Sequence, residues 1–193
     1  MTDADPLGLC RRWLAEAEKT EPINPNAAAL ATVRRDGGPA VRMVLIKDLG
    51  PSGPVFYTNL DSRKGDELRH DQRAALCLYW KSLGRQVRLE GSVTPVADVE
   101  ADAYFASRPR ESQIGAWASH QSQPITDRRE LEAAVAAISE HHAGRAVPRP
   151  PHWSGFRLTA DLIEFWTERP SRLHDRIEYR RRDGAWIARI LSP

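Results

Sequence analysis

Cysteine is almost absent from this 193-residue chain. Its two cysteines, Cys10 and Cys77, lie far apart and form no C-x-x-C motif, so neither a disulfide framework nor a zinc site is expected. Long apolar runs are also missing: no stretch of about 18 apolar residues could span a membrane, and no apolar segment typical of a signal peptide opens the chain. These absences predict a soluble, cytoplasmic protein without a metal centre.

The chain also carries little net charge. Its 28 basic and 26 acidic residues leave a formal charge of +2, far below the basic excess of general nucleic-acid binders. Only four of the 28 basic residues are lysine. A codon or lineage preference for arginine would explain this bias. Because the planar guanidinium suits phosphate and carboxylate, a small-anion site in this chain would use arginine.

Several familiar signatures of catalysis and nucleotide binding are missing. The sequence contains no G-x-x-x-x-G-K-[ST] or G-x-G-x-x-G loop, no H-E-x-x-H and no G-x-S-x-G motif, and its acidic residues form no conspicuous catalytic pair. Any chemistry is therefore expected to come from a bound cofactor.

What the sequence does contain is a β-rich pattern. Apolar residues make up 41% of the chain, enough for a core in a single domain spanning residues 1–193. Strand-like runs separated by Gly- and Pro-rich turns occupy 29–34, 41–47, 55–59, 74–80 and 86–96. Helical patterns cover 5–18, within an N-terminal segment 1–20, and 62–70, 99–107 and 126–142. The prediction is a mainly β (α+β) fold, an antiparallel meander or barrel with peripheral helices.

The C-terminal residues 145–193 begin with a Pro-rich tract that could pass for a linker. Strand patterning then resumes at 156–167, 173–181 and 186–191. Three strands of this length have few ways to build a core of their own. We therefore expect them to complete the first sheet.

The segment 172–176 is the first candidate for chemistry. In an extended strand, residues i, i+2 and i+4 share a face, so Arg172, His174 and Arg176 would project together. Two guanidiniums beside an imidazole form a candidate anion site. The alternative is a solvated polar edge that leads into the arginines at 180–182.

Two earlier segments offer cations in similar settings. Arg42 and Lys47 bracket an apolar strand and, five residues apart, fall on its opposite faces. Arg63 and Lys64 follow Ser62 at a helix start, where free backbone N–H groups favour phosphate. The alternatives are solvated strand ends and an exposed basic first turn.

A third group is spaced four residues apart. Tyr104, Arg108 and Ser112 would align on one helix face, although Pro109 interrupts the helix and a turn there could still direct all three at one phosphate. By itself this spacing is a weak signal.

Amides and aromatic residues complete the candidates. Gln86 and the pair Gln121 and Ser122 could read the polar edge of a heterocycle, or could cap neighbouring backbone groups. Five tryptophans are interpreted as core residues: Trp80, Trp117, Trp153, Trp166 and Trp186.

In their order and spacing, these segments resemble the pyridoxine/pyridoxamine 5'-phosphate oxidase family over nearly the whole chain. The motifs that carry the resemblance are 42–47 (RMVLIK), 56–59 (FYTN), 62–64 (SRK), 85–87 (RQV), 107–117 (SRPRESQIGAW), Trp166 and 172–176 (RLHDR). Each motif is weak alone, whereas their joint occurrence in one order is specific.

The resemblance implies a split antiparallel β-barrel of the FMN-binding type, present as a homodimer with FMN at the subunit interface, so that each site draws on both chains. It implies that FMN is contacted by Arg42, Met43, Val44, Leu45, Lys47, Tyr57, Thr58, Arg63, Lys64, Gln86, Gln121, Ser122, Trp166 and Arg176. The substrate phosphate would be held by Lys47, Tyr104, Arg108 and Ser112. The catalytic pair, Arg172 and His174, would lie over the substrate ring.

The implied activity is the oxidation of pyridoxamine 5'-phosphate and pyridoxine 5'-phosphate to pyridoxal 5'-phosphate, with O2 as the electron acceptor and hydrogen peroxide as a product. The sequence departs from the family in two places. Thr167 stands where many members have Gln, and the longer basic and aromatic N-terminal arm of some relatives is missing.

Two alternatives stay open. A related flavin oxidase acting on another planar heterocycle, as in phenazine biosynthesis, would keep the FMN residues but need not keep the phosphate-binding set. A non-catalytic carrier of flavin or pyridoxal phosphate would bind its ligand without turnover.

Overall fold

The computed structural model describes residues 5–193, so the first four residues of the predicted N-terminal segment lie outside the described residues. The helices are α1 (Pro6–Ala17), α2 (Arg63–His70), α3 (Asp98–Ser107), α4 (Arg110–Ala118) and α5 (Arg128–His141). The strands are β1 (Ala27–Val33), β2 (Pro39–Gly50), β3 (Gly53–Asn59), β4 (Arg73–Trp80), β5 (Arg85–Pro95), β6 (Trp153–Thr167), β7 (Asp175–Arg182) and β8 (Ala185–Leu191). Short 3-10 turns occupy Lys81–Leu83 and Pro170–Arg172.

These strands form one antiparallel sheet in the order β3-β2-β1-β4-β5-β6-β7-β8. β3 also pairs with β6, where Phe56 lies opposite Phe156, and this pairing closes β1 to β6 into a barrel. β7 and β8 continue the sheet beyond β6 as a hairpin. The predicted antiparallel barrel is confirmed, and the strands after residue 152 complete the first sheet as expected.

Apolar side chains fill the barrel and the space beneath α1. Along β1 buried positions alternate with partly exposed ones, as a strand with one face in a core requires. Helix α1 begins where the Asp5 side chain accepts a hydrogen bond from the Gly8 N–H at 2.9 Å. It buries Cys10 completely, and burial raises the pKa of this thiol to about 12, so the thiol is unreactive at neutral pH.

Most predicted elements appear with their ends shifted by only a few residues, but α4 was not predicted. Its periodic signal is weak because only Ile114 and Ala118 are buried. Pro109, which looks like a helix breaker, instead occupies the cap position before the helix, where its missing N–H breaks no intrahelical bond. No helix within the described residues is long and apolar enough to cross a membrane.

The turn between β2 and β3 depends on a glycine. Gly53 has φ +109°, and a Cβ on it would lie 2.0 Å from the carbonyl oxygen of Leu158 in β6. Gly53→Ala is expected to lower the free energy of unfolding by about 2–4 kcal/mol, because it combines backbone strain with a clash where the barrel closes.

Gly37→Ala is the matched control, to be compared with Gly53→Ala by urea unfolding. Gly37 has φ +81°, but a Cβ on it would meet nothing within 4 Å. Gly37→Ala should therefore lower the free energy of unfolding only through backbone strain, by about 1–2 kcal/mol. Equal losses in the two variants would contradict the role given to the close approach at Gly53.

Candidate active site

A cavity of about 730 Å³ opens between the barrel and the helices that follow β5. It brings together eleven of the predicted site residues, namely Met43, Val44, Leu45, Lys47, Tyr57, Thr58, Lys64, Tyr104, Arg108, Ser112 and Gln121. The sequence analysis missed other lining residues: Asn59, Ser107, Pro109, Gly115, Ala116, Ser119 and Trp153.

The cavity is cationic. Lys47, Lys64 and Arg108 line it, and no Asp or Glu is found among the described residues that do. Cations without a local countercharge, in a concave site, attract anions. The lining therefore fits a ligand with more than one negative charge.

Lys64 lies at the start of α2 and is held by neutral acceptors. Its Nζ donates to Thr58 Oγ1 at 3.1 Å, to Ser62 Oγ at 3.3 Å and to Gln121 Oε1 at 2.5 Å. Burial, and next the nearby Arg42 guanidinium, lower the pKa of this ammonium. A bound anion would offset both effects and favour the charged form.

Arg108 reaches the cavity through a sharp turn. Helix α3 ends at Ser107, Arg108 itself is extended at φ −73° and ψ 149°, and Pro109 caps α4. Residues 104–112 therefore do not form one continuous helix. The turn expected at Pro109 is confirmed, because Tyr104 and Ser112 line the same cavity as Arg108.

The Arg108 guanidinium is half-buried, and one of its donors is left unsatisfied. Its Nη1 is inaccessible to solvent and has no hydrogen-bond partner among residues 5–193. Burial lowers the pKa of Arg108, and the nearby Tyr104 phenol opposes this effect. A buried N–H donor without an acceptor costs about 1–3 kcal/mol, which a bound anionic oxygen would recover.

Three nearly parallel aromatic rings form one wall of the cavity. The Tyr57 and Tyr104 ring centroids lie 4.0 Å apart, and Trp153 lies 5.2 Å from Tyr57 at an interplanar angle of 5°. Trp153 is buried, as the core interpretation predicted, but it also faces the cavity. No local sequence pattern could reveal that Trp153 faces the cavity. Its position depends on its pairing with Asn59, which lies on a strand far away in the sequence.

A second group of predicted site residues lies outside this cavity. Gln86, Trp166 and Arg176 stand side by side on β5, β6 and β7. The His174 ring lies 4.5 Å from the Trp166 ring, and Arg172 lies in the preceding turn. Trp153 and Trp166 begin and nearly end the same strand, so the two groups are roughly 40 Å apart along β6.

The predicted shared strand face of Arg172, His174 and Arg176 is wrong. β7 begins only at Asp175, because Ser171 and Arg172 have φ values of 58° and 62° and reverse the chain in a 3-10 turn after Pro170. The His174 ring is instead held by a backbone contact, since its Nδ1 lies 3.1 Å from the Arg169 N–H that donates to it.

Arg176 has an acidic partner, Glu164, which also accepts a hydrogen bond from Arg88 Nη2 at 2.9 Å. Its Nε and Nη2 donate to the two carboxylate oxygens of buried Glu164, at 2.8 and 3.2 Å. Such a two-pronged contact fixes the plane of the guanidinium.

Arg42 and Arg63 lie beside the cavity and share one carboxylate. Arg42 Nη2 donates to buried Glu67 at 2.7 Å, and Arg63 Nε lies 3.6 Å from the other oxygen of Glu67. Arg42 contacts α2 whereas Lys47 lines the cavity, so the two cations have different neighbours; the strand pairing shifts register between Ile46 and Asp48, so β2 is not the regular strand on which the predicted opposite faces depend. Ser122 has φ +72° in the turn after α4 and does not line the cavity.

The barrel and the cationic cavity define a split-barrel protein with a site for a small anionic ligand. The family model described as "Pyridoxamine 5'-phosphate oxidase" matches residues 14–142. A second model, described as "Pyridoxine 5'-phosphate oxidase C-terminal dimerisation region", matches residues 153–193. The chain belongs to the pyridoxamine 5'-phosphate oxidase family.

Individual relatives agree with this assignment. The chain is 55% identical to a pyridoxine/pyridoxamine 5'-phosphate oxidase of Rhodospirillum rubrum, over 100% of this chain and 98% of the relative. It is 58% identical to the protein of that name from Rhodopseudomonas palustris strain BisA53, over 98% and 90% of the two chains. Among solved structures, PhzG of Burkholderia lata, in complex with tetrahydrophenazine-1-carboxylic acid, has a TM-score of 0.93 and 35% identity over 99% and 94% of the chains.

The two ways of holding an arginine predict different effects on stability. Arg108→Met removes a buried donor without a partner but also the contacts of the guanidinium with the Trp153 and Phe105 rings, so the free energy of unfolding of the FMN-free protein should change by less than about 1 kcal/mol. Arg176→Met removes the two-pronged partner of the buried Glu164 carboxylate and leaves it only the single contact from Arg88 Nη2, so this variant should lower the free energy of unfolding by about 1.5–3 kcal/mol. Urea unfolding of both variants measures the difference, and a large loss in Arg108→Met would contradict the unsatisfied state of that residue.

Proposed function

We propose that this chain is an FMN-dependent oxidase that converts pyridoxamine 5'-phosphate and pyridoxine 5'-phosphate into pyridoxal 5'-phosphate, with O2 as electron acceptor and hydrogen peroxide as product. The observation that carries the proposal is Arg108, a half-buried guanidinium in the cavity with an unsatisfied donor and no acidic partner in the described chain. Relatives that bear this activity in their name are 54–58% identical over nearly the full chain.

The donor set fits FMN together with a phosphorylated substrate. Lys64, with Thr58 and Gln121, offers one cationic cluster, and Arg108, with Ser112, offers another. Two phosphate monoesters would bring roughly 3–4 negative charges to these cations. When bound, FMN would supply a ring that accepts hydride from the 4' carbon of the substrate and passes the electrons to O2.

A homodimer with FMN at the subunit interface explains the two separate groups of site residues. One small ligand cannot bridge the roughly 40 Å of β6 that separates Trp153 from Trp166 within one chain. A second copy could bring its own Trp166 group beside the cavity. The region 153–193, which contains Trp166, Arg172, His174 and Arg176, matches the family's dimerisation region, and this supports the arrangement.

The protein's contribution to the reaction is orientation. Lys47, Tyr104, Arg108 and Ser112 would hold the substrate phosphate, which fixes the position of the pyridine ring. Burial raises the pKa of Tyr104, so its phenol stays protonated and can donate to a phosphate oxygen. A cytoplasmic location is part of the proposal, in keeping with the two widely spaced cysteines of the chain.

Arg172 and His174, contributed by the second copy, would lie over the substrate ring. Because His174 Nδ1 accepts a hydrogen bond from the Arg169 N–H, the neutral imidazole carries its proton on Nε2. The ring is thereby prepared to donate from Nε2 to a polar atom of the substrate.

An oxidase for another planar heterocycle is the second candidate, favoured by the 0.93 TM-score with PhzG. Aerobic turnover of FMN-loaded protein separates the candidates when pyridoxal 5'-phosphate and peroxide are followed together. We expect equal amounts of both products from pyridoxamine 5'-phosphate and none from unphosphorylated pyridoxamine. Bound FMN without turnover of either vitamer would overturn the proposal and favour another heterocycle or a carrier.

Substitution of two arginines tests the division of labour. Arg108→Ala should raise KM by roughly 10- to 150-fold and leave kcat nearly unchanged, because one charge-assisted phosphate contact is worth about 1.5–3 kcal/mol. Arg172→Ala should lower kcat as well, because that side chain would contact the reacting ring. Steady-state kinetics with pyridoxine 5'-phosphate measure both, and two purely KM-based defects would contradict these roles.

A further inference from the structure

The arginines near the two groups of site residues are held in different ways. Arg42 is paired with buried Glu67, and Arg176 with buried Glu164. Each carboxylate fixes its arginine, but it also occupies N–H donors and neutralises the charge. An arginine held in this way has fewer free N–H donors and less net positive charge for an incoming phosphate.

Arg108 is held by aromatic rings instead. Its guanidinium carbon lies 4.8 Å above the Trp153 ring and 5.5 Å from the Phe105 ring. An aromatic face attracts a cation through its quadrupole, whereas the N–H donors of a guanidinium lie in its own plane. The contact therefore orients the side chain without consuming its donors.

Trp153 is itself rigidly placed. Its side chain is 6% exposed, and its ring lies 5.2 Å from Tyr57 and edge-on to Phe105 at 5.0 Å. Its backbone is fixed by strand pairing with Asn59, and its carbonyl accepts a hydrogen bond from Arg149 Nη1 at 2.8 Å. Because these contacts fix the Trp153 ring, the ring presents one defined face to the Arg108 guanidinium.

We propose that Trp153 is the positioning residue for Arg108: its ring face holds the guanidinium in place and leaves the N–H donors and the full charge for a ligand phosphate. The inference rests on the proposed function, since it assigns a phosphorylated ligand to Arg108. It gives a binding role to a tryptophan that sequence reasoning placed in the core.

The test compares Trp153→Leu with Trp153→Phe in FMN-loaded protein. The probe is 4-deoxypyridoxine 5'-phosphate, in which the reacting 4' carbon is a methyl group without the hydroxyl or amine that oxidation requires. Its unphosphorylated counterpart is 4-deoxypyridoxine. Isothermal titration should show Trp153→Leu binding the phosphorylated probe about 5- to 30-fold more weakly, the range expected for a desolvated cation–π contact. Affinity for the unphosphorylated probe should change less than about twofold, and Trp153→Phe should recover most of the loss because a ring face remains.

Trp13→Leu is the matched control. Arg85 lies 4.6 Å above the Trp13 ring, so the pair makes the same kind of cation–π contact, although Arg85 is also ion-paired with Glu16; neither Trp13 nor Arg85 lines the cavity. This variant should unfold at a lower temperature, because Trp13 packs against the core, without selective loss of the phosphorylated probe. Thermal unfolding followed by circular dichroism verifies that each variant is folded.

A double-mutant cycle separates positioning from general damage. In an Arg108→Met background, Trp153→Leu should no longer weaken the phosphorylated probe, because the residue through which it acts is gone. Equal weakening of both probes by Trp153→Leu, or an undiminished effect in the Arg108→Met background, would overturn the inference.

A failure of the proposed function gives a different result. If the wild-type protein binds neither probe, the vitamer assignment fails, and inorganic phosphate becomes the probe. Phosphate should then raise the unfolding temperature of the wild-type protein and not that of Trp153→Leu. Equal protection of both proteins would overturn the role of Trp153 independently of the substrate.

Discussion

The pairing of β6 with three other strands is the constraint on which the rest of the structure depends. β6 pairs with β5 along most of its length, with β3 near its start and with β7 near its end. The first two contacts close the barrel and place Trp153 at the cavity. The third places Trp166 beside Arg176 at the far end, so one strand carries both groups of site residues and keeps them apart. In the proposed homodimer, a second copy would bring the two groups together.

The cavity combines a rigid frame with donors that the frame does not satisfy. Folding usually pairs buried polar groups, and Arg42 and Arg176 follow that rule through Glu67 and Glu164. Arg108 is an exception, because it packs against aromatic rings and its Nη1 has no acceptor in the part of the chain that the structure describes. The unsatisfied donor of Arg108 lowers the stability of the folded protein locally, as is expected of a group whose partner is a ligand.

The strands could be predicted because their signal is local: alternation and the turn residues 35–39 place β1 and β2 to within a few residues. The family motifs likewise predicted the polar half of the cavity. The turn at 171–172 could not be predicted, because Ser and Arg, unlike Gly, give no sign of a left-handed backbone. The place of Trp153 depends on its register with Asn59, which only the closed barrel defines.

Charge balance favours a phosphorylated substrate over a carboxylate in this chain. Lys47, Lys64 and Arg108 line the cavity without a carboxylate among the described lining residues, and Arg42 and Arg63 share the single Glu67 carboxylate, which leaves one further positive charge. Flavin phosphate and substrate phosphate together would bring roughly 3–4 negative charges, close to these four positive charges. With a carboxylate ligand in place of the second phosphate, the sum falls to about 2.5–3 and one cation stays uncompensated where burial already opposes its charge. Among these positive charges, Arg108 is the least compensated. We therefore expect Arg108, which Trp153 holds in place, to discriminate between phosphorylated and carboxylate ligands.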